Sequence, residues 1–155
     1  MKRTNELLEC YRMMHKYLTT VQNTVLLQKE ITKCQLNVLL EIKRARHINL
    51  QDLSDQLCHE KSTISRTVES LKQAGYLSAV KTAEDRRTLD LTLTEKGAEF
   101  LTSYQKEIDQ YYRRVLAEFP DEEQERIVHG VQILKKSFLY NFDRIQQEDF
   151  AAKHR

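Results

Sequence analysis

The sequence predicts a mainly α-helical chain with one small antiparallel β-ribbon. Only 3 Gly and 1 Pro occur among 155 residues, so few loops are expected. Along most of the chain, apolar residues recur three and four positions apart, which is the period of a helix that buries one face. The alternation of apolar and polar residues that is typical of a strand is cleanest at 88–93.

Long helices with an apolar stripe are predicted at both ends of the chain. The first runs from about Thr4 to Leu27, and the last begins at Asp121 after Pro120. Such a stripe is buried either within one chain or between two chains; since both ends carry one, we expect them to build a two-fold homodimer. The stripes are Leu7, Tyr11, Met14, Leu18, Val21 and Val25, and Ile127, Val131, Leu134, Phe138, Phe142 and Ile145.

Three shorter helices are predicted in the middle of the chain. They span Lys33 to Arg46, Leu50 to Leu57 and about Glu60 to Ala74. Asn49 suits the N-cap of the second helix, and Gly75 suits the position just past the third. The apolar stripes of the last two can be buried only against each other and a neighbouring helix, which predicts a helix-turn-helix.

The third of these helices has a polar, basic face opposite its apolar stripe. Short hydroxyl side chains allow a helix to approach the major groove closely, and cations reach phosphates or guanine edges. The alternative is that Ser62 and Thr63 only satisfy backbone N–H groups of the first turn. We predict DNA contacts from Lys61, Ser62, Thr63, Ser65 and Arg66.

Two strand-like runs, Tyr76–Lys81 and Thr88–Leu93, follow this helix. Arginines 86 and 87 lie in the polar tip between them. A ribbon with arginines at its tip, directly after a recognition helix, is a wing, and an arginine there can enter the narrow minor groove. Thr94 then suits the N-cap of a long helix that is expected to run to about Glu118.

In order and spacing, these motifs resemble the MarR family of winged-helix transcription regulators. The resemblance covers Ile31 to Leu101 in detail, and the flanks share the family's helical layout. The chain departs from the family pattern in the turn before the recognition helix, where Cys58, His59 and Glu60 replace Gly, an apolar residue and a Ser, Thr or Asp cap. The matching motifs are Gln35-x-x-Val38-Leu39, Leu53-Ser54, Ser62-Thr63-Ile64-Ser65-Arg66, Gly75-Tyr76-Leu77, Asp85-Arg86-Arg87 and Leu93-Thr94-Glu95-Lys96-Gly97.

The resemblance implies further roles. It implies a repressor that binds double-stranded DNA as a homodimer, on a pseudo-palindrome with half-sites roughly 10 base pairs apart. In the wing, Asp85 would orient one of Arg86 and Arg87 while the other reaches DNA, and Ile48 would pair with the ribbon. A small aromatic acid, a lipophile or an oxidant would act as effector in a cleft whose candidate residues are Tyr11, Met14, His15, Leu18 and Tyr104.

The three cysteines lack the spacing of a metal site, and their odd number suits reduced thiols. Cys10 invites a redox reading, because a peroxide-sensing branch of the resembled family uses a cysteine in its first helix; a packed or idle thiol is the alternative. Cys34 and Cys58 lie in or beside the helix-turn-helix and are expected to pack there. No cofactor, no metal site and no enzymatic motif are predicted.

The net charge and composition are compatible with DNA binding but do not by themselves indicate it. The net charge is +2, its excess lies between Lys33 and Lys96, and the basic run Arg44 to His47 could contact phosphates or simply be a solvated helix end. No apolar run reaches the roughly 18–20 residues of a membrane span. The N-terminal residues lack the apolar core of a signal peptide, and the odd number of cysteines suits reduced thiols, so a cytoplasmic protein is expected. The expected domains are 1–32 for dimerisation, 33–94 for DNA binding and 95–155 for the connecting and second dimerisation helices. Two alternatives remain open, a thiol sensor that uses Cys10 and a winged-helix module that binds a protein.

Overall fold

The computed structural model describes residues 2–81 and 89–153, with side chains for 2–79 and 90–141. The prediction of a mainly helical chain with one small β-ribbon is confirmed. For the first five helices and both strands, observed boundaries differ from the predicted ones by two residues or fewer, and the last helix begins at the predicted residue. Within the described ranges the elements are α1 (Lys2–Leu27), α2 (Lys33–Ala45), α3 (Leu50–Leu57), α4 (Lys61–Gln73), β1 (Leu77–Lys81), β2 (Leu89–Leu93), α5 (Glu95–Leu116) and α6 (Asp121–Lys153).

The chain divides into two compact units, Met1–Gln110 and Tyr111–Arg155. The core of the first unit lies where α2, α3, α4, the β-ribbon and the first half of α5 meet. Its fully buried side chains are large and aliphatic, and burial of this kind is the main stabilising term in folding. The largest are Leu36, Leu39, Ile42, Leu53, Ile64, Leu71 and Leu101.

The β-ribbon is antiparallel and is joined to the chain before α3. Leu77 pairs with Leu93 and Ala79 with Leu91. The predicted single-residue partner is present: Ile48 forms a bridge with Leu91, whose N–H donates to the Ile48 carbonyl at 2.9 Å. This bridge ties the base of the ribbon to the start of the helix-turn-helix.

Side-chain caps explain where three of the helices begin. Thr32 and Gln35 form a reciprocal capping box at the start of α2. The Asn49 side chain accepts the Asp52 N–H at 2.9 Å before α3, and the Thr94 hydroxyl accepts the Gly97 N–H at 3.1 Å before α5. Both caps that the sequence predicted are confirmed.

The second unit contains the end of α5 and the whole of α6. Along α6, the apolar stripe has Ile127, Val131 and Phe138 exposed by 38%, 50% and 54%, and Leu134 partly buried. In the first unit, α1 likewise leaves Leu7 and Met14 about half exposed, at 47% and 50%. Within the described residues, no helix is both long enough and apolar enough to span a bilayer.

Candidate nucleic-acid interface

Helix α4 has one buried and one exposed face. Ile64, Val68 and Leu71 are 0%, 6% and 0% exposed, as the apolar spacing predicted. The opposite face is open to solvent and carries the five residues predicted to contact DNA, Lys61, Ser62, Thr63, Ser65 and Arg66. The structure therefore brings these side chains together on one surface.

Polar contacts from α2 hold the flank of α4. The Cys34 sulfur lies 3.5 Å from the Thr67 hydroxyl, and the Gln35 amide donates to the Ser70 hydroxyl at 3.2 Å. Hydrogen bonds have directional preferences that apolar contacts lack, so these contacts restrict rotation of α4 about its own axis. Cys34 is partly buried, as predicted for a packing residue.

The turn between α3 and α4 departs from the prediction at one residue. Cys58 is exposed, so the expectation that it packs in the core is wrong. It is the C-cap of α3 and adopts a left-handed conformation with φ 52° and ψ 41°. The His59 N–H then donates to the Ser54 carbonyl at 3.2 Å and closes the turn. A non-glycine residue in this region carries a steric cost, because its Cβ crowds the following carbonyl.

Helix α4 begins without a side-chain cap. Glu60 is the N-cap residue, and its carboxylate makes no capping hydrogen bond. Its backbone carbonyl accepts the N–H groups of Thr63 and Ile64, which starts the helix. The negative charge favours the positive end of the helix dipole, although an anion here also lowers the attraction for a nearby phosphate.

A glycine ends α4, as the sequence predicted. Gly75 has φ 78°. The Tyr76 N–H donates to the Leu71 carbonyl and the Gly75 N–H to the Lys72 carbonyl, both at 2.9 Å, which is a Schellman motif. The chain therefore leaves the end of α4 in a defined direction and enters β1 two residues later.

The basic run after α2 is only partly available to a ligand. The Arg44 guanidinium donates to the Glu41 carboxylate and, at 2.5 Å, to the Gln56 side-chain oxygen. The hydrogen bond that Arg44 donates to Glu41, and then the negative charge of Glu41, raise the pKa of Arg44 above its ordinary value. His47 Nδ1 lies 3.7 Å from an Asp90 oxygen. Contacts with Gln56 and Asp90 join positions distant in sequence, so the composition of the run did not reveal them.

The wing is described only at its base. The paired strands lie on either side of the tip, and the register runs from Leu77 opposite Leu93 to Lys81 opposite Leu89. Asp85, Arg86 and Arg87 lie outside the described residues. Their roles at the wing tip stay predictions.

The candidate effector residues lie in two different environments. A concavity of about 590 Å³ lies along α1 and is lined by Asn5, Leu8, Glu9, Tyr11, Arg12 and His15. The rings of Tyr11 and His15 are 6.2 Å apart, and Met14 and Leu18 are exposed on the same helix. Tyr104 instead is 4% exposed, with its ring stacked on Phe100 at 6.5 Å. The structure therefore brings together two of the five candidates.

The remaining candidate group is Cys10. It is exposed on α1, one residue before Tyr11. Among the residues that the structure describes, no three His, Cys, Asp or Glu side chains are grouped so as to hold a metal ion.

Comparison with known proteins shows the fold and a family match to one segment of the chain. The family model described as MarR family matches residues 31–89. The HTH-type transcriptional regulator BilQ of Clostridioides difficile is 28% identical over 97 residues, which are 63% of this chain and 66% of that protein. The family and this relative are transcriptional regulators, not enzymes.

Two solved structures share the fold over most of their length. A MarR family protein from Bacillus stearothermophilus superposes with a TM-score of 0.84 at 21% identity, covering 90% of this chain and 98% of that one. A MepR mutant of S. aureus bound to an oligodeoxyribonucleotide superposes with a TM-score of 0.64 at 18% identity, covering 85% and 97%. The matched segment, residues 31–89, contains α2, α3, α4 and β1, so this part of the chain resembles the MarR family of transcriptional regulators.

Proposed function

We propose that this protein is a homodimeric, sequence-specific double-stranded DNA-binding repressor whose α4 reads the major groove. One observation carries the proposal: opposite its buried stripe, the first half of α4 exposes hydroxyl and cationic side chains, and the acidic Glu69 on the same face lies further along the helix and pairs with Lys72. A helix of this composition can approach base edges closely while its cations bind phosphates. The solved MepR complex with an oligodeoxyribonucleotide has the same fold, which supports the same use.

Within this surface, two kinds of contact are expected. Ser62, Thr63 and Ser65 have short side chains that suit base edges, where they can donate or accept. Lys61 and Arg66 can reach either phosphates or guanines. In the wing, one of Arg86 and Arg87 would enter the minor groove while Asp85 holds the other. Phosphate contacts set affinity and its dependence on salt, whereas base contacts set specificity.

The proposal is tested by a gel shift on the protein's own promoter DNA across a series of salt concentrations. We expect Arg66→Ala to weaken specific binding, and an Arg86→Ala/Arg87→Ala double variant to weaken it further. Each lost phosphate contact should lower the log–log salt slope by about 0.9. Arg126→Ala is the matched control, because Arg126 is an exposed arginine on α6 that pairs with Glu122 at 2.8 Å.

Two results would oppose the proposal. Unchanged binding by the Arg66 and wing variants would mean that another surface holds the DNA. Absence of any specific shift at low salt would favour the alternative of a winged-helix module that binds a protein. A separate experiment decides between repression and activation. If the protein is a repressor, a reporter gene fused to its promoter should be expressed more strongly in a strain that lacks the protein.

Two exposed apolar stripes support the homodimer. Leu7 and Met14 on α1, and Val131 and Phe138 on α6, are each 47–54% exposed. Apolar residues repeated three and four apart over such long helices are typical of helices that pack together in an oligomer. A stable dimer would bury them and would present two copies of α4 to two half-sites.

A substitution pair on α6 tests the dimer. Val131→Glu places a charge in the stripe and is expected to shift the protein towards monomer in analytical ultracentrifugation. Ile133→Glu is the matched control, because Ile133 is 54% exposed but lies on a different face of the same helix. Equal sedimentation of both variants as dimers would place the interface elsewhere.

We further propose that the concavity along α1 is where an effector acts. Arg12 and His15 could bind an acidic group, while Leu8 and Tyr11 supply apolar contact. A small aromatic carboxylate such as salicylate is the probe: we expect it to release DNA from the native protein and to act less on Arg12→Ala. Equal release from both proteins would move the effector site away from α1.

A thiol-based sensor is the second candidate, and the exposure of Cys10 favours testing it. A reactive thiol must be accessible to an oxidant. If Cys10 is the sensor, hydrogen peroxide releases DNA from the native protein but not from Cys10→Ser, whereas Cys58→Ser, which removes another exposed thiol, still responds. Release from Cys10→Ser would end this reading.

A further inference from the structure

The first turn of α5 holds the C-terminal end of α4. The Lys96 ammonium donates to the Ala74 carbonyl at 2.7 Å, and the Thr94 hydroxyl donates to the Gly75 carbonyl at 2.7 Å. The Thr94 N–H donates to the Tyr76 carbonyl at 3.1 Å. We call Thr94 and Lys96, with the carbonyls of residues 74–76 that they bind, the α4–α5 clasp.

The clasp satisfies groups that a helix cannot satisfy by itself. The last carbonyls of a helix have no partner further along it, and they carry the negative end of the helix dipole. A lysine ammonium at this position therefore gains both a hydrogen bond and a favourable charge interaction. It also lies 4.4 Å from the centre of the Tyr76 ring, and that ring packs edge-on against Phe100 at 5.6 Å.

The clasp lies at the end of α4 farthest from Ser62 and Thr63. α4 has 13 residues, so its ends are separated by about 20 Å. A tilt of about 5° at the clasp would move the first turn by about 2 Å. Hydrogen bonds to bases tolerate only a few tenths of an ångström, since the preferred donor–acceptor distances span about 2.7–3.2 Å.

We propose that Lys96 is a positioning residue that sets the orientation of the recognition helix without itself touching DNA. Lys96 is exposed and is not part of the buried core. Its substitution therefore leaves the core packing that α4 makes through Ile64, Val68 and Leu71 intact. The substitution removes one of the hydrogen bonds that hold the C-terminal end of α4, the bond from Lys96 to the Ala74 carbonyl. This inference rests on the proposed function, because it concerns how α4 reaches an operator.

The test compares Lys96→Met, Lys96→Arg and Lys106→Met with the native protein. Methionine keeps an unbranched side chain but cannot donate to Ala74, whereas arginine can donate and can lie over Tyr76. Lys106 is exposed on α5, so Lys106→Met removes the same charge away from α4. Affinities are measured for the operator, for an operator with one base pair added between half-sites, and for random DNA, each at several salt concentrations.

We expect Lys96→Met to lose about tenfold in operator affinity, the scale of one charged hydrogen bond, while Lys96→Arg and Lys106→Met stay close to native. The native preference for the correct half-site spacing should shrink in Lys96→Met, because a looser helix adapts to either spacing. Affinity for random DNA and the salt slope should not change.

Equal operator affinity in Lys96→Met and Lys106→Met would overturn the inference. So would an equal loss on operator and random DNA with a lower salt slope, because Lys96 would then be a phosphate contact. Native protein that does not distinguish operator from random DNA would overturn the proposed function and this inference with it, a result recognisable without any variant.

Discussion

Addition of a single methyl group at Gly97 should destabilise the fold. Gly97 lies in the first turn of α5, and a Cβ built there would stand 2.3 Å from the Tyr76 carbonyl oxygen and 3.3 Å from a Leu93 methyl. The oxygen belongs to the backbone just before β1, so it cannot rotate away as a side chain would. Gly97→Ala must therefore push α5 and the end of α4 apart.

The cost follows from the size of that displacement. Real Cβ contacts are at least 3.0 Å, so the two segments must separate by about 0.7 Å. The Thr94 N–H now donates to the same oxygen at 3.1 Å, and such a shift breaks this bond. Overpacking destabilises by about 1–3 kcal/mol, and loss of the hydrogen bond destabilises by about 1 kcal/mol. The higher helix propensity of alanine stabilises by about 1 kcal/mol. The net loss is about 2 kcal/mol, or a fall of about 4–8 °C in Tm.

The measurement is thermal and urea unfolding followed by circular dichroism. Gly130→Ala is the matched control, because Gly130 lies inside α6 with nothing within 4 Å of its added Cβ. That substitution should raise stability by about 0.5–1 kcal/mol. A Gly97→Ala protein as stable as the native one would refute the close approach of α5 to β1, and with it the geometry of the clasp.

Three further substitutions probe the helix-turn-helix. Cys58→Gly relieves the left-handed conformation and should gain about 0.5–1 kcal/mol, whereas Cys58→Ala, which keeps that conformation, should change little; equal midpoints in urea would contradict this. Glu60→Ser supplies the missing cap of α4 and should gain about 1 kcal/mol, with Glu60→Gln as control, and no gain over that control would mean that the cap site is already satisfied. Leu36→Ala should cost about 2–5 kcal/mol because Leu36 is fully buried, while Ile133→Ala, at a 54% exposed site, should cost far less, and similar costs would argue against the assigned core.

The sequence predicts those features of the fold that depend on neighbours along the chain. The two faces of α4 follow from apolar residues three and four apart, which is a property of the helix itself. The caps at Asn49 and Thr94 are equally local, since each side chain bonds an N–H three residues later. The Ile48 bridge is long-range, and only the family resemblance predicted it.

Features set by contacts between distant residues could not be predicted in this way. Lys96 reaches the Ala74 carbonyl 22 positions earlier, and nothing in its own helix distinguishes it from another exposed lysine. The sequence leaves Arg44 free to contact phosphates, whereas in the fold its guanidinium donates to Gln56 on α3. Cys58 was expected to pack because cysteine is usually buried, but closing the turn required a left-handed residue at that position.

The residues that fix α4 and the residues expected to read DNA lie on different parts of the same helix. Its core stripe, its flank against α2 and its C-terminal end hold it in place. The side chains that face solvent at the other end are Lys61, Ser62, Thr63, Ser65 and Arg66. Variants that lose a phosphate contact and variants that lose a positioning contact should therefore differ in how their operator affinity depends on salt. Loss of a phosphate contact lowers the salt slope, because fewer counterions are released. Loss of a positioning contact lowers operator affinity at an unchanged salt slope. The same cations still bind phosphates, but the orientation of α4 is less fixed.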